Sequence, residues 1–105
     1  MRSDAHSKAL NDLVRTPERF FVEHVQLVSR EMELWERQRL LCAPDIVFVG
    51  SGHVSVLEYK ATIRNKGHAL DQLYCADCIL TKMFRLPVRK FFVYGSKPYS
   101  VEEIF

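Results

Sequence analysis

The sequence predicts an α/β sandwich in which a mixed central sheet of about four strands is flanked by helices. Three observations carry this. Two short runs, Asp45-Ile46-Val47-Phe48-Val49 and His53 to Ala61, are β-branched, aromatic and apolar on both faces, with Gly50-Ser51-Gly52 between them. A long segment from His68 to Phe84 carries Ala69, Leu73, Ala76, Leu80 and Met83 at helical spacing. A third apolar run, Val88 to Tyr94, follows directly. Strands apolar on both faces need cover on each side, which places them centrally in a sheet between helical layers.

Element by element, Ser3 to Val14 reads as a short helix with Ser3 or Asp4 as its cap. Thr16-Pro17-Glu18 is a stronger start signal: a hydroxyl, proline at the first helical position, then an acid. Phe20, Phe21, His24, Leu27 and Val28 recur at helical spacing, so a second helix is predicted to about Arg30. Met32 to Leu41 is rich in charge and reads as an exposed strand around Leu34–Leu40. The two apolar strands come next, then the helix, ended by Leu86-Pro87. After the last strand, Val101 to Phe105 reads as the start of a helix. The predicted order is therefore α-α-β-β-β-α-β.

All 105 residues are assigned to one domain, with neither repeat nor linker. An apolar content of 48% with 27% charged residues excludes disordered and low-complexity classes. No apolar run approaches the ~18 residues that span a bilayer, and the start has no signal-peptide pattern, so no membrane partner is expected. Three cysteines form no disulfide framework, which points to a reducing, cytoplasmic setting. Charge is uneven: residues 1–58 carry −2, residues 60–97 carry +6, and the last eight −2. A basic second half suits a polyanion such as DNA, with Arg64, Lys66, Arg85, Arg89 and Lys90 as candidate phosphate contacts.

The informative residues are charges inside apolar strands. If Ser51 and Gly52 form a two-residue hairpin loop, Val49 faces Val54, Val47 faces Val56 and Asp45 faces Glu58. Directly opposite residues share a face with Cβ atoms ~4.5–5.5 Å apart, and Lys60 projects from that face two residues on. Two facing carboxylates repel, and desolvation makes this worse. A hard divalent cation, Mg²⁺ or Mn²⁺, relieves the conflict, and a nearby ammonium can manage a water proton or charge on a phosphate. The plain alternative is a strand end whose charges reach solvent, with Lys60 neutralising Glu58.

Pro44-Asp45, the hairpin, and Glu58-Tyr59-Lys60 resemble the signature of the PD-(D/E)XK nuclease superfamily. That superfamily includes restriction endonucleases, archaeal Holliday-junction resolvases and RecB-type nuclease domains. The resemblance spans roughly Glu18 to Gly95 and implies a restriction endonuclease-like αβββαβ core. It implies that Asp45, Glu58 and the Tyr59 carbonyl bind the metal and that Lys60 is catalytic. Asp71-Gln72-Leu73-Tyr74 resembles the glutamine element of RecB-like members, which implies that Gln72 contacts the water or the scissile phosphate. It also implies a glutamate on the first core helix: Glu23 is the choice, with Glu18 and Glu31 as alternatives. The implied activity is metal-dependent phosphodiester hydrolysis in DNA, and the small domain is consistent with a homodimer. A non-catalytic binding module that keeps the fold is the main rival, and a structural α/β protein with a neutralised charge cluster is the third reading.

Weaker constellations were weighed beside these. Cys75-Ala76-Asp77-Cys78 has metal-site spacing but no second Cys or His pair, so it reads as buried small residues. His24 and His68 read as surface or capping residues flanking the site. Walker, His-Glu-X-X-His and Gly-X-Ser-X-Gly motifs do not occur.

Overall fold

The computed structural model describes residues 4–105. Helix α1 (Asp4–Leu13) leads through a single 3-10 turn (Pro17–Phe20) to strands β1 (Leu27–Arg30), β2 (Leu34–Glu36), β3 (Arg39–Cys42), β4 (Ile46–Val49) and β5 (Val54–Lys60). A short 3-10 turn (Ile63–Asn65), helix α2 (Lys66–Phe84) and strands β6 (Val88–Tyr94) and β7 (Ser100–Ile104) complete it. The proposed Ser3 cap lies outside the described residues. Among those residues, no helix is long and apolar enough to cross a membrane.

β4 and β5 are buried on both faces, as their composition requires. Their pairing is antiparallel with Val47 opposite Val56 and Val49 opposite Val54, the register expected from the two-residue loop. The Gly50 N–H donates to the His53 carbonyl at 3.0 Å and closes that loop. A Cβ at Gly50 would stand 3.1 Å from Val22 Cγ1, so Val22 would have to give by a few tenths of an ångström to admit a larger residue. β5 then pairs in parallel with β6, and α2 is the crossover between them. Five strands form the main sheet in the order β1-β4-β5-β6-β7, one more than predicted.

Side-chain alternation sorts the core into two layers. Val47, Val49, Val54, Val56 and Phe92 meet the stripe Ala69, Leu73, Ala76 and Leu80 of α2. On the other face, Ile46, Phe48, Leu57, Tyr59, Phe91 and Val93 meet Ala9, Leu10 and Leu13 of α1 together with Phe20 and Val22. The fold class is therefore mixed α/β with a helix on each face of the sheet.

Three expected elements are corrected. Pro17 does start a helical turn, but the Thr16 hydroxyl donates back to the Leu13 carbonyl instead of capping it, and the helix lasts one turn: Phe21 has φ 65° and ends it. Phe20 enters the core between Phe48 and Phe91, and residues 27–30 become β1. The reason is the open edge of β4, whose buried backbone groups need partners that β1 supplies. The same demand at the free edge of β6 puts Val101 to Ile104, expected as a helix start, into β7. The strand around Leu34–Leu40 is instead a hairpin, β2–β3, separate from the main sheet.

That hairpin turns through Arg37 and Gln38, with φ 51° and 65°, between the paired Glu36 and Arg39. Positive φ at both central positions is the type I′ pattern, for which glycine is the favoured second residue. Gln38→Gly should therefore raise stability by about 0.5–1 kcal/mol, read as a higher melting temperature. A lower melting temperature would mean that the Gln38 side chain contributes more than its backbone costs.

Candidate functional site

The chain enters β4 at Asp45 and leaves β5 at Lys60, so these ends share one edge of the sheet. Asp45 is fully buried and Glu58 is 3% exposed. Each carboxylate accepts an amide from the opposite strand: Asp45 N–H donates to Glu58 Oε1 at 3.1 Å, and Tyr59 N–H donates to Asp45 Oδ2 at 2.8 Å. The facing pair inferred from the register is therefore present, and reciprocal backbone donors make its burial tolerable. Lys60 Nζ lies 3.6 Å from Glu58 Oε2.

One partner was missed. His6, on α1, places Nε2 3.2 Å from Asp45 Oδ1, and its ring meets Tyr59 edge-on. His6 precedes Ala9, Leu10 and Leu13 by helical spacing, so the stripe of α1 carries it inward. The helical pattern shows that His6 faces inward; only the packing of α1 on the sheet brings it to Asp45.

The remaining candidates separate. Of the three glutamates, Glu23 is not on a helix and lines a cavity with Gly50 and His53, at the opposite end of β4 from Asp45. Glu18 sits in the 3-10 turn. Glu31 follows β1 and donates its N–H to the Asp45 carbonyl at 2.9 Å, so it is the glutamate beside the site. Gln72 is half-buried on α2 and makes no hydrogen bond to Asp45, Glu58 or Lys60. His24 belongs to the far cavity with Glu23, while His68 is exposed in the first turn of α2.

The five proposed phosphate contacts also divide. Lys66 pairs with Glu102 at 2.6 Å, Lys90 is buried against Asp77 at 2.8 Å, and Arg89 is clamped by both oxygens of Glu103. Arg89 and Arg85 lie toward the β6 start, the end of the sheet away from Lys60. Arg64, exposed just after β5, has no ion pair with a described residue.

The Arg89 hydrogen bonds hold the Glu103 carboxyl below its ordinary value of 4.5, against the opposing effect of burial, with the Arg89 charge adding to the lowering. A depressed carboxylate contributes stability above its unfolded value and loses it as pH falls through the folded value. Glu103→Gln should lower the melting temperature at neutral pH and flatten the acid limb below about pH 4.5. Identical acid limbs for the two proteins would show that the pair contributes nothing.

The CXXC cysteines are free, and Cys78 is exposed rather than buried. Cys75 instead meets Cys42 of β3. Burial first, then the contact with Cys75 and the nearby Glu58, push the Cys42 thiol up to about 12. Cys42 is thus an inert core thiol at neutral pH.

The donor set at the strand ends consists of hard oxygens, two carboxylates with the Tyr59 main chain between them, and suits Mg²⁺ or Mn²⁺ better than a soft metal. Among the described residues, no group of three or more His, Cys, Asp or Glu side chains is arranged so as to hold a metal ion. No protein-family model matches the chain, and neither a curated protein nor a solved structure matches it.

Proposed function

We propose that this chain is a metal-dependent nuclease of the restriction endonuclease-like type that hydrolyses phosphodiester bonds in DNA. The observation that carries the reading is the buried pair Asp45 and Glu58, held face to face by each other's strand with Lys60 3.6 Å from Glu58. Burying two carboxylates side by side is costly, and a hydrolytic metal site is the chemistry that makes use of it. The succession α1, β1, β4, β5, α2, β6, with β5 and β6 parallel, supports this reading only with α1, which precedes the Glu18–Gly95 span of the resemblance, in the place expected of the Thr16 helix.

In this reading Asp45, Glu58 and the Tyr59 carbonyl hold Mg²⁺ or Mn²⁺, which when bound supplies Lewis acidity toward a phosphate oxygen and water. The Tyr59 N–H and His6 orient Asp45. Lys60 takes or steadies a water proton, or stabilises charge developing on the phosphate. The test incubates the protein with linear, branched and single-stranded DNA in Mg²⁺, Mn²⁺ or EDTA. Cleavage that requires the metal is the expected result, and its absence on every substrate overturns the reading.

A second reading, a non-catalytic DNA- or partner-binding module, is favoured by the complete burial of Asp45 and by the protein partners on both its oxygens. It predicts DNA binding that is indifferent to Mg²⁺ and no product.

A further inference from the structure

With Lys66, Arg89 and Lys90 engaged in ion pairs, the positive charge expected for a polyanion partner must be sought elsewhere. Two adjoining cavities lie between α1, the first 3-10 turn and the turn that joins β6 to β7. The first, about 230 Å³, is lined by Asp12, Arg15, Arg19, Lys97 and Tyr99 among others. The second, about 210 Å³, shares Lys97 and Tyr99 and adds Lys8, Tyr59 and Gly95. Together they gather four cations around one carboxylate.

That carboxylate offsets only one of the four charges. Asp12 accepts the Tyr99 hydroxyl at 2.7 Å, and this bond lowers its pKa against the opposing effect of burial, with Lys97, Lys8 and Arg15 lowering it further, so it stays anionic and the lining keeps an excess of three cations. Lys8, Arg15 and Lys97 are exposed and form no ion pair with a described residue. Arg19 donates to the Tyr99 carbonyl at 2.8 Å and keeps other N–H donors for a ligand. A concave surface with this excess of cations concentrates anions.

Its position matters as much as its charge. The second cavity reaches Tyr59, the residue between Glu58 and Lys60, whose N–H holds Asp45. Tyr59 also meets His6, which is bonded to Asp45, so the groove runs along α1 on that face of the sheet, one side chain away from the carboxylates, with none of Asp45, Glu58 and Lys60 in its lining.

We infer that the groove lined by Lys8, Arg15, Arg19 and Lys97 is the track for the phosphodiester backbone of the DNA strand that flanks the scissile bond. The inference rests on the nuclease reading for its orientation, but not for its binding chemistry. Lysine and arginine contacts to phosphate position the strand without reading its sequence, so binding here is insensitive to base order.

The experiment measures binding of the full chain to labelled single-stranded and duplex DNA in EDTA across a salt series. Arg15→Ala/Lys97→Ala should reduce the slope of log K against log salt by about 1.4 on single strands and about 1.8 on duplex, two phosphate contacts in each case. If the lines meet near 1 M, affinity at 0.1 M salt falls about 25-fold on single strands and about 60-fold on duplex. Lys82→Ala/Arg39→Ala removes the same formal charge outside the groove and should leave the slope near that of the parent. Equal slopes for the parent and Arg15→Ala/Lys97→Ala, or no DNA binding by the parent, overturn the groove. Metal-dependent cleavage with an unchanged slope sinks the groove and keeps the nuclease. A reduced slope without any cleavage keeps the groove and sinks the nuclease.

Discussion

Asp45→Asn is expected to leave a folded protein that neither binds Mn²⁺ nor cleaves DNA. Asparagine keeps an oxygen for the Tyr59 N–H, which lies 2.8 Å from Asp45 Oδ2, so the junction of β4 and β5 survives. What it loses is the negative charge that a hard cation requires. Asp45→Ala is the less clean variant. The site is fully buried, and alanine leaves the Tyr59 N–H without its acceptor, at a cost of about 1–3 kcal/mol. Repulsion between two carboxylates would by itself make their separation stabilising. The observed amide donors reverse that expectation, because one oxygen of each carboxylate is already met by the opposite strand. Calorimetric titration with Mn²⁺, beside a thermal melt, separates the two effects. An unchanged Mn²⁺ affinity in Asp45→Asn removes Asp45 from the site.

Lys60→Ala should bind metal and DNA nearly as the parent does and cleave at least ~100-fold more slowly, the scale expected when one preorganised charge or proton-handling group is lost. The ammonium stands 3.6 Å from Glu58 Oε2, close to the carboxylates rather than out along the groove. A group acting mainly in the transition state lowers turnover and spares ground-state affinity. Lys60→Arg should restore little, since a guanidinium differs in shape and does not give up its proton. Single-turnover cleavage beside equilibrium binding is the measurement. Near-parental cleavage by Lys60→Ala would reduce Lys60 to a counter-ion for Glu58 and leave the nuclease reading without its mechanism.

Where a stretch of chain determined its own partner, the sequence was sufficient. The two-residue loop Ser51-Gly52 and the flanking valines specify one register, and a one-residue slip would invert every side chain, so Asp45 opposite Glu58 follows from local information. The stripe on α2 was legible in Ala69, Leu73, Ala76 and Leu80, which are buried as expected, while Met83 at its end is exposed.

Residues 27–30 and 101–104 were not legible, because the patterns they belong to satisfy a helix locally while the structure uses them as edge strands. The decision lay with the unpaired backbone groups of β4 and β6, which exist only once the sheet has formed. The same is true of the charges. Composition counted Lys66, Arg89 and Lys90 as available, but they were claimed by Glu102, Glu103 and Asp77 across the tertiary fold. His6 and Asp45, thirty-nine positions apart, meet for the same reason. Periodicity along the chain shows which face a side chain takes; which element that face meets is decided by the long-range packing of helices and strands.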